Sequence, residues 1–136
     1  MNKSGPFIVI EDDKDDQEIL ESIFRELHYT NDIKFFSDGL IALDYLLNIE
    51  TEPFIIFSDI NMPKLNGIEF RTLLRQSENL KIRSVPCLFF TTSADKKHVA
   101  DAYADSIQGF FIKSFDYNQL KEEIKAIVEY WQRCVS

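Results

Sequence analysis

The sequence predicts an α/β fold: a doubly wound, five-stranded parallel sheet with helices on both faces. Three observations predict it. Short apolar runs of about four residues recur five times. A longer amphipathic segment follows each one. The runs are apolar at successive positions rather than at alternate ones, the mark of strands buried on both faces.

Phe7-Ile8-Val9-Ile10 is the first strand. Asp13 or a neighbour then caps a helix whose Ile19, Leu20, Ile23, Phe24 and Leu27 share a face. Ile33 to Phe36 is the second strand, and Ser37 or Asp38 opens a helix carrying Leu40, Ile41, Leu43, Leu46 and Leu47. Phe54 to Ser58 is the third strand. The turn Asn61-Met62-Pro63-Lys64-Leu65-Asn66-Gly67 leads into a helix with Ile68, Phe70, Leu73 and Leu74. Pro86 precedes a fourth strand, Cys87 to Phe90, and a short helix over Lys96 to Ala104 follows. Gly109 to Ile112 is the fifth strand, and a final helix runs from about Asp116 to Trp131. Parallel strands joined by helices cross over right-handedly. Five of them suit the flavodoxin-like order 2-1-3-4-5, with its switch point between strands 1 and 3.

The 136 residues fit one domain, and no boundary is visible, so a single domain over 1–136 is expected. The net charge of -8, with fifteen scattered Lys and Arg, argues against nucleic acid as a partner. The longest uninterrupted apolar runs are four residues, such as Phe54 to Phe57. A membrane span needs roughly 20 and a secretory signal about 7–15 near the start, so no membrane association and a cytoplasmic location are expected. Cys87 and Cys134 suggest neither a disulfide framework nor a zinc site, and Cys87 reads as a small core residue. His28 and His98 read as surface or helix-end residues.

Ligands of such a sheet bind beyond the carboxyl ends of its strands, at the switch point. Glu11-Asp12-Asp13 ends strand 1 and Ser58-Asp59 ends strand 3. Carboxylates meeting in one cleft raise one another's pKa; a hard divalent cation relieves that, and magnesium takes oxygen ligands. An acidic magnesium pocket is therefore expected, with Asp12 and Asp59 as its best candidates because they close strands. Asp13, Asp15 and Asp16 read instead as cap or first-turn residues, which accept backbone N–H bonds and favour the positive helix end. Strand 4 delivers Thr91-Thr92-Ser93 and strand 5 delivers Lys113 to the same cleft. A hydroxyl and an ammonium facing an acidic metal pocket are the donors that a phosphoryl group requires.

With Ile10-Glu11-Asp12, Ser58-Asp59-Ile60-Asn61-Met62-Pro63, Asn66-Gly67, Pro86 before Thr91, and Gly109 to Lys113 in order, the sequence resembles the receiver domains of two-component response regulators. The likeness covers essentially the whole chain, and its D-x-x-M-P-x-x-N-G stretch is specific. No output domain is expected after residue 131, which would be similar to single-domain regulators of the chemotaxis type. The resemblance implies a phosphoacceptor switch that assists its own phosphorylation and dephosphorylation rather than an enzyme. It makes Asp59 the acceptor of a phosphoryl group from a histidine kinase or His-phosphotransfer protein. It implies magnesium bound by Asp12, Asp59 and the backbone carbonyl of Asn61, with Glu11 acting through water. Thr91 would hydrogen-bond the phosphoryl group, Lys113 would pair with it, and Phe110 would be the aromatic switch. The surface of the fourth helix, fifth strand and fifth helix would then bind a downstream protein.

Two departures stand out. Lys113-Ser114 replaces the family's Lys-Pro, and Ser106-Ile107 stands where the family favours glycine. Without proline a cis bond costs roughly 2.5–4 kcal/mol, so a trans Lys113–Ser114 bond is expected. Two enzyme or carrier readings are disfavoured. A phosphohydrolase of the D-x-D kind lacks its general acid, since Asn61 occupies that position. A flavin or nucleotide carrier lacks a loop of phosphate-binding donors after strand 1. The serious alternative is a receiver-like interaction module that works without phosphorylation.

Overall fold

The computed structural model describes residues 1–60, 62, 64–79, 82, 84–91, 109–114 and 116–135, with Thr91 and Phe110 described by their backbone alone. Five strands form one parallel sheet in the order β2-β1-β3-β4-β5: β1 Phe7–Ile10, β2 Ile33–Phe36, β3 Ile55–Asp59, β4 Cys87–Thr91 and β5 Gly109–Ile112. Among the described residues the helices are α1 Lys14–Glu26, α2 Gly39–Leu47, α3 Gly67–Arg75 and the C-terminal helix Tyr117–Arg133. The fold matches the one predicted. The helix expected over Lys96 to Ala104, His98 and the Ser106-Ile107 departure lie outside the described residues.

The sheet divides two cores, because successive strand residues point to opposite faces. Phe7, Val9, Ile55, Phe57, Leu88 and Phe90 pack against α1 and the C-terminal helix. Ile8, Ile10, Ile56, Cys87 and Phe89 pack against α2 and α3. Phe7 anchors the first core: its ring lies 5.0 Å from Phe24, 5.8 Å from Phe54 and 6.0 Å from Phe57. Cys87 is fully buried, as expected, whereas Cys134 near the chain end is partly exposed. His28 is exposed just past the end of α1, with a φ of 60°.

The helices start where side chains cap them. Asp13 accepts from the Asp15 and Asp16 N–H groups, Asp38 from that of Ile41, and Asp116 from those of Asn118 and Gln119. Asn66 and Glu69 exchange side-chain and backbone bonds in a full capping box at the head of α3. On α2 the leucines divide between core and solvent. Its buried residues include Ala42 and Leu46, while Leu40, Ile41 and Leu47 are 47%, 52% and 44% exposed. The segment is apolar nearly all round, so hydrophobic period cannot choose its inner face. Close packing at its first turn chooses instead, since a Cβ on Gly39 would lie 3.1 Å from the Leu65 carbonyl oxygen. Ile19 and Leu73 are likewise exposed, at 39% and 40%, on the outer edges of α1 and α3. No helix of the described residues is long and apolar enough to cross a membrane.

Candidate functional site

Strand register brings the predicted residues to one end of the sheet. Ile10 pairs with Ser58, which sets Glu11 level with Asp59; Asp59 pairs with Phe90, and Thr91 with Ile112, the residue before Lys113. Glu11, Asp12 and Asp59 each present a carboxylate oxygen, all within 4.8 Å of one another. Glu11 is buried, Asp59 half-buried and Asp12 exposed, so the cluster grades from the core to solvent. Its donors are hard oxygens alone, a set that suits a divalent cation such as magnesium.

Ile60 and Gly67, on either side of the turn after Asp59, are held by packing and backbone bonds. The Ile60 N–H donates to Phe90 O at 3.0 Å, and the Gly67 N–H to Ile60 O at 3.0 Å. A Cβ on Gly67 would come within 2.7 Å of the Phe89 ring and 3.1 Å of Ile60 Cα. Glycine is required there by close approach. Met62 is 9% exposed and packs into the core beside Ser58. Much of the turn motif is thus a mount that holds the strand end bearing Asp59, with Asn66 as cap and Gly67 as contact.

Lys113 is only 9% exposed and donates to Glu11 Oε2 at 2.7 Å and to Asp16 Oδ2 at 2.9 Å. Together with Asp59 it lines a small cavity of about 10 Å³. Burial pushes the Glu11 carboxyl from its usual 4.5 up to about 7, against the pull of the Lys113 ammonium, and the charge of Asp59 adds to the rise. Burial also raises the Asp59 carboxyl; Lys113 opposes this and Asp12 reinforces it. Burial draws the Lys113 ammonium down, but its bonds to Glu11 and Asp16 outweigh that and hold it above the usual lysine value. Three acids crowd a cleft that runs from the core to solvent, and Lys113 only partly neutralises them.

Glu11, Asp12, Asp59 and Lys113 therefore meet as the sequence predicts. Glu11 differs from expectation in being the most buried acid and a direct partner of Lys113. Asn61 lies outside the described residues, as do the side chains of Thr91 and Phe110. Asp16 was legible only as a first-turn acid; nothing in its spacing marks it as a partner of Lys113, ninety-seven residues away. The Lys113–Ser114 bond is trans, as predicted. Ser114 Oγ accepts from the Asp116 N–H at 3.1 Å, turning the chain into the C-terminal helix.

Known proteins resemble this chain in sequence and fold. A family model described as the response regulator receiver domain matches residues 7–125. The probable methanogenesis regulatory protein FilR2 of Methanothrix harundinacea is 31% identical over 137 residues, covering 96% of this chain and 87% of that protein. The crystal structure of response regulator RPA3017, in red light signaling of R. palustris, matches with a TM-score of 0.84 at 29% identity, covering 96% of each chain. The receiver domain of sensor histidine kinase PA1611 from Pseudomonas aeruginosa PAO1, solved with a magnesium ion in its active site cleft, shares the fold. Its TM-score is 0.75 at 22% identity, over 93% of this chain and 95% of that one. The chain belongs to the response regulator receiver domains, the signalling switches of two-component systems.

Proposed function

We propose that residues 1–136 act as a single receiver domain whose Asp59 accepts a phosphoryl group from a histidine kinase or His-phosphotransfer protein. The observation that carries this is the convergence of Glu11, Asp12, Asp59 and Lys113 at one end of the sheet. An Asp59 carboxylate oxygen attacks phosphorus as the bond to the donor's leaving atom breaks, and that atom departs with the electron pair. A magnesium ion held by Asp12, Asp59 and the Asn61 carbonyl, with Glu11 through water, would neutralise charge on the carboxylates and the phosphoryl oxygens. Lys113 supplies a fixed positive charge from within the cleft, where low polarity strengthens it. Thr91 supplies a hydroxyl to a phosphoryl oxygen. Phe110 then follows Thr91 and alters the face of the fourth helix, β5 and the C-terminal helix, to which a downstream protein binds.

Incubation with acetyl phosphate and magnesium, read by intact mass, tests the proposal. Wild type should gain one phosphoryl group, and Asp59→Asn or chelation of magnesium should abolish the gain. Labelling that survives Asp59→Asn would place the acceptor elsewhere. No gain in wild type would leave the chain as a phosphorylation-independent interaction module.

A further inference from the structure

Two carboxylates hold Lys113, and they differ in what else they do. Glu11 Oε2 accepts from Nζ at 2.7 Å, but Glu11 also stands in the carboxylate cluster with Asp12 and Asp59. Any cation held by that cluster competes with Lys113 for the same side chain. Asp16 accepts from Nζ at 2.9 Å and lies outside the cluster. It stands in the first turn of α1, on the wall of a second cavity of about 110 Å³ lined also by Leu20, Lys113, Ser114 and Tyr117.

An ammonium has three N–H donors on a flexible four-carbon stem. Two of them are spent on Glu11 and Asp16, which leaves one to offer across the cleft. The stem alone does not fix where that donor points; the two carboxylates do. When Glu11 shares its charge with a cation at the cluster, Asp16 is the anchor that Lys113 does not share with it. The geometry points to Asp16 as the positioning residue for Lys113, keeping the ammonium aimed beside Asp59 during phosphoryl transfer, a role that rests on Asp59 being the acceptor.

A purely local role for Asp16 makes a different demand. Asp15 occupies the same first turn and carries the same charge toward the same helix end, yet the hydrogen bonds and ion pairs of Lys113 go to Glu11 and Asp16. If Asp16 only favours the helix terminus, the two residues are interchangeable. If it acts through Lys113, they are not.

The test uses the full chain with acetyl phosphate and saturating magnesium. Phosphorylation rate is followed as a function of acetyl phosphate concentration, and magnesium affinity is measured separately by calorimetry. Asp16→Ala should lower the maximal rate by about tenfold or more, toward the roughly hundredfold that misplacing a group by an ångström can cost. The half-saturating donor concentration and the magnesium affinity should stay near wild type. Asp15→Ala should match wild type, and Asp16→Glu should recover most of the rate. In a Lys113→Ala background, Asp16→Ala should cause no further loss, because the two residues work as one unit. An Asp16→Ala chain as fast as wild type overturns the inference, as does an equal loss in the Lys113→Ala background. Those outcomes leave wild-type phosphorylation intact, whereas a wild-type chain that gains no phosphoryl group removes the acceptor and this role together.

Discussion

Neutralising Glu11 should flatten the dependence of metal-free stability on pH. The Glu11 carboxyl holds its proton up to about pH 7 in the folded chain, against an ordinary value of 4.5. The folded state therefore carries more bound protons than the unfolded state between those values, and stability must fall as pH rises through the window. At about 1.4 kcal/mol per pH unit, the whole span is worth about 3 kcal/mol, most of which falls between pH 5 and pH 8. That is a large share of the roughly 5–15 kcal/mol that a domain has to spare. Urea unfolding with a chelator present reads it directly. With a slope of roughly 1–3 kcal/mol per molar, the wild-type midpoint should drop by about 1 M from pH 5 to pH 8. Glu11→Gln keeps an acceptor for Lys113 but has no proton to lose, so its midpoint should move much less. Asp59, also raised, contributes a fall of the same sign, and because Glu11 and Asp59 shift one another the difference between the two proteins reads Glu11 together with that coupling. Magnesium at about 100 times its Kd should restore about 2.7 kcal/mol to the wild type at pH 8. A wild-type midpoint that is level or rises over this range, or a Glu11→Gln chain with the same slope, refutes the reasoning.

Two further outcomes follow from the same geometry. Asp12→Ala should weaken magnesium binding measured by calorimetry, while the metal-free melting temperature stays equal or rises because one crowded charge is gone; a clear drop would make Asp12 structural. Gly67→Ala should cost about 1–3 kcal/mol in urea unfolding, since the new methyl meets the Phe89 ring at 2.7 Å with Ile60 behind it; a loss below a few tenths would show that the ring yields freely.

Strands were the most legible elements. Phe7–Ile10, Ile33–Phe36 and Gly109–Ile112 end where the sequence predicts, because short apolar runs bounded by polar residues leave little freedom of register. β3 lies one residue later than expected and β4 one residue longer, both reaching into the polar cluster. There backbone pairing, and not hydropathy, sets the end of the strand. The inner face of α2 was hidden for the opposite reason: an almost wholly apolar helix carries no directional signal, and Ala42 is buried while Leu40 and Leu47 are exposed. In the site, Asp12, Asp59 and Lys113 were readable from their positions at strand ends. Asp16 was not, because a carboxylate in a first turn is explained by the helix itself. Only the fold brings it to Lys113.

The fully buried thiol of Cys87 gives the molecule a built-in reporter of its own opening. Burial pushes that thiol up to about 12, so it stays protonated, and the α2–α3 core closes it off from reagents. Cys134 is partly exposed and open to attack in the native state. Alkylation should therefore proceed in two phases, a prompt one at the chain end and a slow one paced by exposure of the sheet's interior. The slow phase reports how often β4 parts from its covering helices, so a phosphoryl group or cation that tightens the strand ends would register as a longer delay before the second thiol reacts.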